Sequence, residues 1–394
     1  MKALEGLRVL DLSRMLSGPY ATMLLADLGA EVIKIEEPRG GDPMRAVEPY
    51  ITPEMSAYFA SINRNKRSVT LDLKTDEGKQ IVLELAKKCD VVLENFRPGT
   101  MESLGLGYET LKTANPEIIH CSITGFGESG PLRDYPSFDL VIQAMSGQMS
   151  ITGEPGRPPV RSGIPIGDLA AAMMACIGVL SALARRARGG GGGRVEVSLL
   201  DAMVSMLSYV AQFHFTDGRV PGPVGSAHQS VVPYQAFKTR DGYIVVAVFV
   251  EKFWEAFCQG LGLPELVRDP RFLDNSKRAK NRAVLVPMLE ARFLEKSSAE
   301  WLEALQERNV PCGPIHTIDR ILSHPQLVQN NMLIELEVPG KGLVKGLGNP
   351  IKIEGHEDSF EAPPLLGEDT ERLLSETLRM PRGKIAALRE KGVI

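Results

Sequence analysis

The chain has 394 residues, 43% of them hydrophobic and 24% charged, which excludes a disordered or collagen-like polymer. At about 100–200 residues per domain, it holds two to four domains or one large domain with an insertion. A formal net charge of −4 argues against a dedicated nucleic-acid binder, and five cysteines without CxxC spacing suggest no disulfide framework and no metal site.

Glu5 falls where a signal peptide needs its apolar core, so a cytoplasmic protein is expected, in keeping with the unpaired cysteines. Residues 7–12 read as a strand and 18–28 as an apolar helix. The turn between them, from Ser13 to Pro19, has no GxGxxG, which counts against a nicotinamide or flavin enzyme. Further strands are expected at 31–35, 68–71, 91–93, 118–122 and 194–197, with helical patterns at 76–88 and 169–188. Strands alternating with helices predict an α/β fold with a parallel sheet covered on both faces.

The uncharged run 169–184 would extend about 24 Å as a helix, short of a hydrocarbon layer of roughly 30 Å. It is expected as a buried helix, with no membrane partner. The five glycines at 189–193 lie between a helix and a strand, the reverse of a phosphate loop, and read as a helix end and turn.

The Pro/Gly-rich stretch 217–225 marks a linker. A smaller α+β domain over 225–331 follows, with a strand at 243–250 and amphipathic segments at 252–263 and 284–307. Beyond it, 333–338 and 351–353 read as strands ahead of a helical tail.

Asp168 precedes the apolar helix and follows Gly167. It reads first as an N-cap accepting backbone N–H bonds. The same placement suits an ionised carboxylate open to a ligand and able to act as a covalent nucleophile. Backbone N–H groups at that helix start are natural oxyanion donors.

Eight motifs then occur in order: Leu10-Asp11-Leu12-Ser13 with Gly18-Pro19; Leu28 to Glu36; Asn65 to Lys74; Glu94-Asn95-Phe96-Arg97-Pro98-Gly99; Ile123-Thr124-Gly125-Phe126-Gly127; Gly167-Asp168; Val197 to Ala202; and Pro363 to Glu368. Together they resemble the class III CoA-transferases, the family of carnitine CoA-transferase, formyl-CoA transferase and α-methylacyl-CoA racemase.

The resemblance implies a Rossmann-like large domain over 1–216, completed by 332–394, joined to the small domain, with two chains interlocked as a homodimer. It implies catalysis by Asp168 and a coenzyme A site over Leu16, Ser17, Leu71, Asp72, Leu73, Lys74, Asn95, Phe96 and Arg97. CoA thioester is then a substrate, and no separate cofactor is expected. Lys74 and Arg97 suit CoA phosphates, and Phe96 suits adenine or pantetheine.

Departures narrow the chemistry. Formyl-CoA transferase has glutamine where this chain has Leu16, and a glycine-rich loop that the shorter 224–228 region lacks, so formyl-CoA and oxalate are not the expected substrates. The racemase branch has His-Asp where this chain has Phe138-Asp139, and Phe138 cannot move a proton.

The expected reaction is CoA transfer from an acyl-CoA, with succinyl-CoA the candidate donor, to a carboxylic acid, through an aspartyl anhydride and an aspartyl-CoA thioester. The alternatives are an acyl-CoA racemase or epimerase and a non-catalytic CoA-binding protein. His228, Arg45 and Arg161 are candidates to hold the acid carboxylate, whereas Cys312, with His316 four residues on, has no defined nucleophile geometry.

Overall fold

The computed structural model describes residues 2–394. The chain divides into two compact units. The first comprises Met1–Gln148, Arg161–Thr216 and Pro325–Ile394, and the second Met149–Val160 and Asp217–His324. The short segment 149–160, which the sequence leaves in the large domain, thus groups with the second unit.

The first unit is built on six strands: β1 (Arg8–Asp11), β2 (Glu31–Glu36), β3 (Lys66–Thr70), β4 (Val91–Glu94), β5 (Ile119–Thr124) and β6 (Gly193–Ser198). They pair in parallel in the order β3-β2-β1-β4-β5-β6, the doubly wound arrangement. The strands are apolar runs because both faces are covered. Val9, Val32, Val91 and Ile119 enter one core, while Leu10, Ile33, Val69 and Val92 enter the other.

On the first face lie α1 (Ser17–Asp27) and α4 (Ile166–Arg185), packed through the small residues Ala21, Ala171 and Ala175. Between them in the chain come the short helices α2 (Thr100–Ser103) and α3 (Asp139–Met145). The helix α4 is buried on one side only. Its other side leaves Met173, Ile177 and Leu180 exposed, Ile177 by 59%, so the sequence expectation of a fully buried helix is corrected. It is long and apolar enough to cross a membrane by length and composition, but Ala171, Ala172 and Ala175 lie in a protein core. The glycine run ends it as expected, with Gly189 at φ +85°.

The second face is covered by α5 (Thr370–Glu376) and α6 (Arg382–Glu390) from the far end of the chain. Two bonds fasten this end of the chain in place: Thr70 N–H donates to the Thr370 hydroxyl Oγ1 in α5 (2.9 Å), and Asp72 N–H to Val393 O just past α6 (2.8 Å).

In the second unit, β7 (Tyr234–Lys238), β8 (Tyr243–Ala247) and β9 (Cys312–Pro314) form an antiparallel sheet. It packs under Trp254, Phe257, Phe293 and Trp301. The expected helical segment at 284–307 is two helices, Arg282–Phe293 and Ser298–Gln306, the latter opened by a Ser297–Glu300 capping box. Back in the first unit, β10 (Leu333–Val338) forms a hairpin with β11 (Gly342–Leu347). Residues 351–353, expected as a strand, are not one. Pro350 and Gly355 flank them, and the partner of β10 is the glycine-containing segment that reads poorly as a strand alone.

Candidate active site

The turn after β1 is shaped by buried charge where other doubly wound proteins use glycines. Asp11 accepts bonds from Ser13 N–H (2.9 Å), Thr22 Oγ1 (2.6 Å) and Lys66 Nζ (3.1 Å). Lys34 Nζ donates to Ser13 O (2.8 Å) and meets Asp42 Oδ2 at 2.9 Å. Burial would raise the Asp11 carboxyl, but Lys66, Lys34 and the two hydroxyls outweigh it and hold it at about 2.

Above this base a groove of about 290 Å3 opens at the carboxyl ends of β1 to β4, where a doubly wound sheet binds ligands. Of the residues expected to bind CoA, Leu71, Asp72, Leu73, Lys74 and Phe96 line it. Leu16 and Ser17 are buried at the start of α1 and are absent from its lining, as is Asn95. The Asn95 amide bridges two loops: Oδ1 accepts Arg14 N–H (2.8 Å), and Nδ2 donates to Arg14 O (2.7 Å) and Ser17 Oγ (3.3 Å). Arg97 lines a separate, smaller cavity behind the loop.

Sequence reasoning passed over Arg14, which lines the groove with its guanidinium 4.7 Å from the Phe96 ring centroid. Its position directly after the Asp11–Ser13 turn was the available signal.

Asp168 is the third residue of α4, inside its first turn, and the N-cap position falls to Pro165. The N-cap reading is therefore corrected. The cap comes from elsewhere: Asp139 Oδ1 accepts the N–H groups of Gly167 (2.7 Å) and Asp168 (3.4 Å). Those N–H groups are thereby engaged, so the expected oxyanion donors are not open. Gln143 Nε2 donates to Asp139 Oδ2 (2.6 Å), and Gln143 Oε1 accepts Ser162 N–H (2.8 Å). Gly167 is required by this approach, since a Cβ there would stand 3.0 Å from Asp139 Oδ1.

Burial pushes the Asp168 carboxyl up to about 7; Asp139 adds to the rise, and a hydrogen bond from Ser17 opposes it. The expectation of a fully ionised carboxylate is corrected: near neutral pH, Asp168 is divided between its acid and its anion. Tyr58 feels the same charges, its phenol raised by burial and by Asp168, Asp42 and Asp139. Asp139 was visible in the sequence only as the neighbour of Phe138. Its cap spans 28 residues, and nothing local announces it.

Other candidates find different employment. Arg45 is buried, grips Glu36 with Nε and Nη2 (2.8 and 2.7 Å), donates to Pro364 O and stacks on Phe59 at 3.6 Å. It belongs to the framework, which corrects its assignment to an acid carboxylate. Arg161 is exposed and donates to Ser162 O (3.2 Å).

In the second unit, His228 Nδ1 accepts the N–H groups of Ser230 and Val231 (both 3.1 Å), which puts the neutral ring's proton on Nε2. Tyr234 and Phe249 meet that ring edge-on. Cys312 lies in β9, where burial raises its thiol and quiets it.

The family model of CoA-transferase family III matches residues 4–370. A mouse (Mus musculus) succinyl-CoA:glutarate CoA-transferase is 41% identical over 395 residues, covering 100% of this chain and 91% of the relative. An Acetobacter aceti acetyl-CoA:oxalate CoA-transferase is 39% identical over 94% of this chain and 95% of its own length. The crystal structure of a CaiB/BaiF family protein from Brucella suis superposes with a TM-score of 0.83 at 38% identity, covering 95% of this chain and 98% of that one. This chain therefore belongs to CoA-transferase family III and is an enzyme of that class.

Proposed function

We propose that this enzyme transfers CoA from succinyl-CoA to a small carboxylic acid of the glutarate type, with Asp168 as the nucleophile. The observation that carries the reading is a carboxyl at the start of α4, on a helix turn whose N–H groups Asp139 caps, and in hydrogen-bond contact with Ser17. The mouse relative's named substrates supply the donor and acceptor class.

In the proposed sequence the Asp168 carboxylate attacks the thioester carbonyl; the C–S bond breaks and CoA thiolate departs, leaving an acyl-aspartyl anhydride. The thiolate adds to the Asp168 carbonyl and expels the donor acid, forming an aspartyl-CoA thioester. The acceptor carboxylate then displaces CoA to form a second anhydride. Attack of the thiolate on the acceptor carbonyl releases the new acyl-CoA and restores Asp168. Only the anion starts this cycle, so its rate should climb with pH through the Asp168 titration. Lys74 is the proposed partner of CoA phosphate, and Phe96 with Arg14 the proposed contact for adenine or pantetheine.

The exposed apolar side of α4, with Val204 and Met206 nearby in the chain, suits burial against a second copy, so the working form in this reading is a homodimer. Five free cysteines, four of them buried, suit a reducing cytoplasm.

The test is mass spectrometry of the protein with succinyl-CoA and a panel of dicarboxylic acids, comparing wild type with Asp168→Asn. New acyl-CoA products, an adduct on Asp168, and a loss of rate on the order of 1000-fold or more in the variant are expected. No exchange, with deuterium entering C2 of a branched acyl-CoA, would replace the transferase by an isomerase.

A further inference from the structure

Behind the loop that follows β4 lies the second, small cavity, of about 20 Å3. Sheet register sets Glu94 beside Ser122 and Glu196, and Val92 beside His120 and Arg194, so these side chains share one face. Glu102 from α2, Glu128 from the loop after β5 and Arg97 complete the charged wall. Four glutamates thus face two arginines and one histidine.

Glu94 and His120 are 4% and 7% exposed. Glu94 Oε2 accepts the Phe96 N–H at 2.7 Å, and its Oε1 stands 3.7 Å from His120 Nε2. That nitrogen is buried and, among the described residues, has no hydrogen-bond partner. Tyr108 stacks over the imidazole, and Arg194 lies on the Tyr108 ring. The peptide that Glu94 holds belongs to Phe96, whose ring lines the groove on the loop's other side and carries Arg14.

We propose that Glu94 is a positioning residue for acyl-CoA: from this cavity it fixes the Phe96 peptide, and with it the stance of Phe96 and Arg14. The inference rests on the reading of the groove as the CoA site. Burial, with Glu128 and Glu102, pushes the Glu94 carboxyl up to about 8, while burial and Arg194 push His120 down to about 4. At neutral pH both groups are therefore uncharged, and the Phe96 N–H keeps its acceptor on Glu94 in either protonation state, since an ionised carboxylate accepts more strongly.

The test measures KM and kcat for succinyl-CoA, and CoA binding by calorimetry, at pH 7. Glu94→Gln keeps an acceptor for the Phe96 N–H and should match wild type. Glu94→Leu and Glu94→Ala, which have none, should each raise KM and weaken CoA binding about tenfold, the worth of one lost hydrogen bond, with kcat unaffected.

A Glu94→Gln variant that binds CoA as weakly as Glu94→Leu would overturn the proposal, and this arm decides even where Glu94→Ala does not fold. Wild type that binds CoA beside a Glu94→Ala variant that binds it equally would overturn this inference alone. Wild type that binds no CoA would overturn the groove reading as well.

Discussion

At the ends of β1 and β2 the buried carboxyls of Asp11, Glu36 and Asp42 each face a cation, whereas at the end of β4 and the start of α4 the carboxyls face one another. The contrast separates two effects that burial usually confounds. Asp11 and Glu94 are both almost wholly enclosed, yet one sits at about 2 and the other at about 8. Desolvation acts on both in the same direction; Lys66 and Lys34 reverse it for Asp11, and among the described residues no lysine or arginine bonds Glu94. Paired charges build the floor of the groove. Carboxyls without such a cation are left at the loop and at Asp168, where a labile proton suits the chemistry proposed above.

The largest effect should come from making the first region resemble the second. Lys66→Met removes the cation bonded to Asp11 and also the donor to Pro19 O (2.8 Å) and Asn63 Oδ1 (2.8 Å). Stripping one partner from a buried pair costs about 3–5 kcal/mol, to be read from urea unfolding curves. A loss below 1 kcal/mol would mean that Lys34 alone neutralises Asp11, and the contrast would weaken.

A smaller and opposite effect should follow at α4. The folded protein binds the Asp168 proton up to about pH 7, while the unfolded chain releases it near 3.8, so stability falls as pH rises between those values. The whole interval corresponds to about 4 kcal/mol. Solvent over the half-buried carboxyl screens part of it, leaving about 2 kcal/mol. Asp168→Asn should therefore melt higher than wild type at pH 8 and equally at pH 4, as calorimetry would show. A variant that gains nothing at pH 8 would place Asp168 among the paired acids.

The mildest test touches the contact between Asp139 and α4. Gly167→Ala forces a Cβ to 3.0 Å from Asp139 Oδ1. About 1 kcal/mol of stability and roughly tenfold in kcat should be lost as the cap shifts. An unchanged kcat would show that Asp139 holds the helix without setting the nucleophile.

What could be read in advance follows the range of the interactions. The parallel strands were legible because buried strands advertise themselves in four to six consecutive residues, and the helix start at Asp168 because a glycine, an acid and an apolar run adjoin, while the role expected of Asp168 came only from the resemblance. Leu71 to Lys74 and Phe96 followed from the resemblance and lie where strand ends meet. Asp139 capping α4, Asn95 bridging to Arg14 and Arg45 gripping Glu36 were not legible. Each joins segments whose proximity only the folded sheet creates, and each uses a residue type equally at home on a surface. The β10–β11 hairpin fails for the same reason: β11, with Gly342 and Gly346, is a strand because β10 is beside it.

The bond from Asp72 N–H to Val393 O has a consequence for synthesis. Asp72 lines the groove, and its backbone partner is 321 residues downstream. A nascent chain can lay down β1 to β4 early, but the edge of the groove at β3 stays unsecured until residue 393 has left the ribosome. Release of a prematurely stopped product would expose Leu71 and Val69 where α5 and α6 should lie, marking it for quality control before it could sequester cellular thioester.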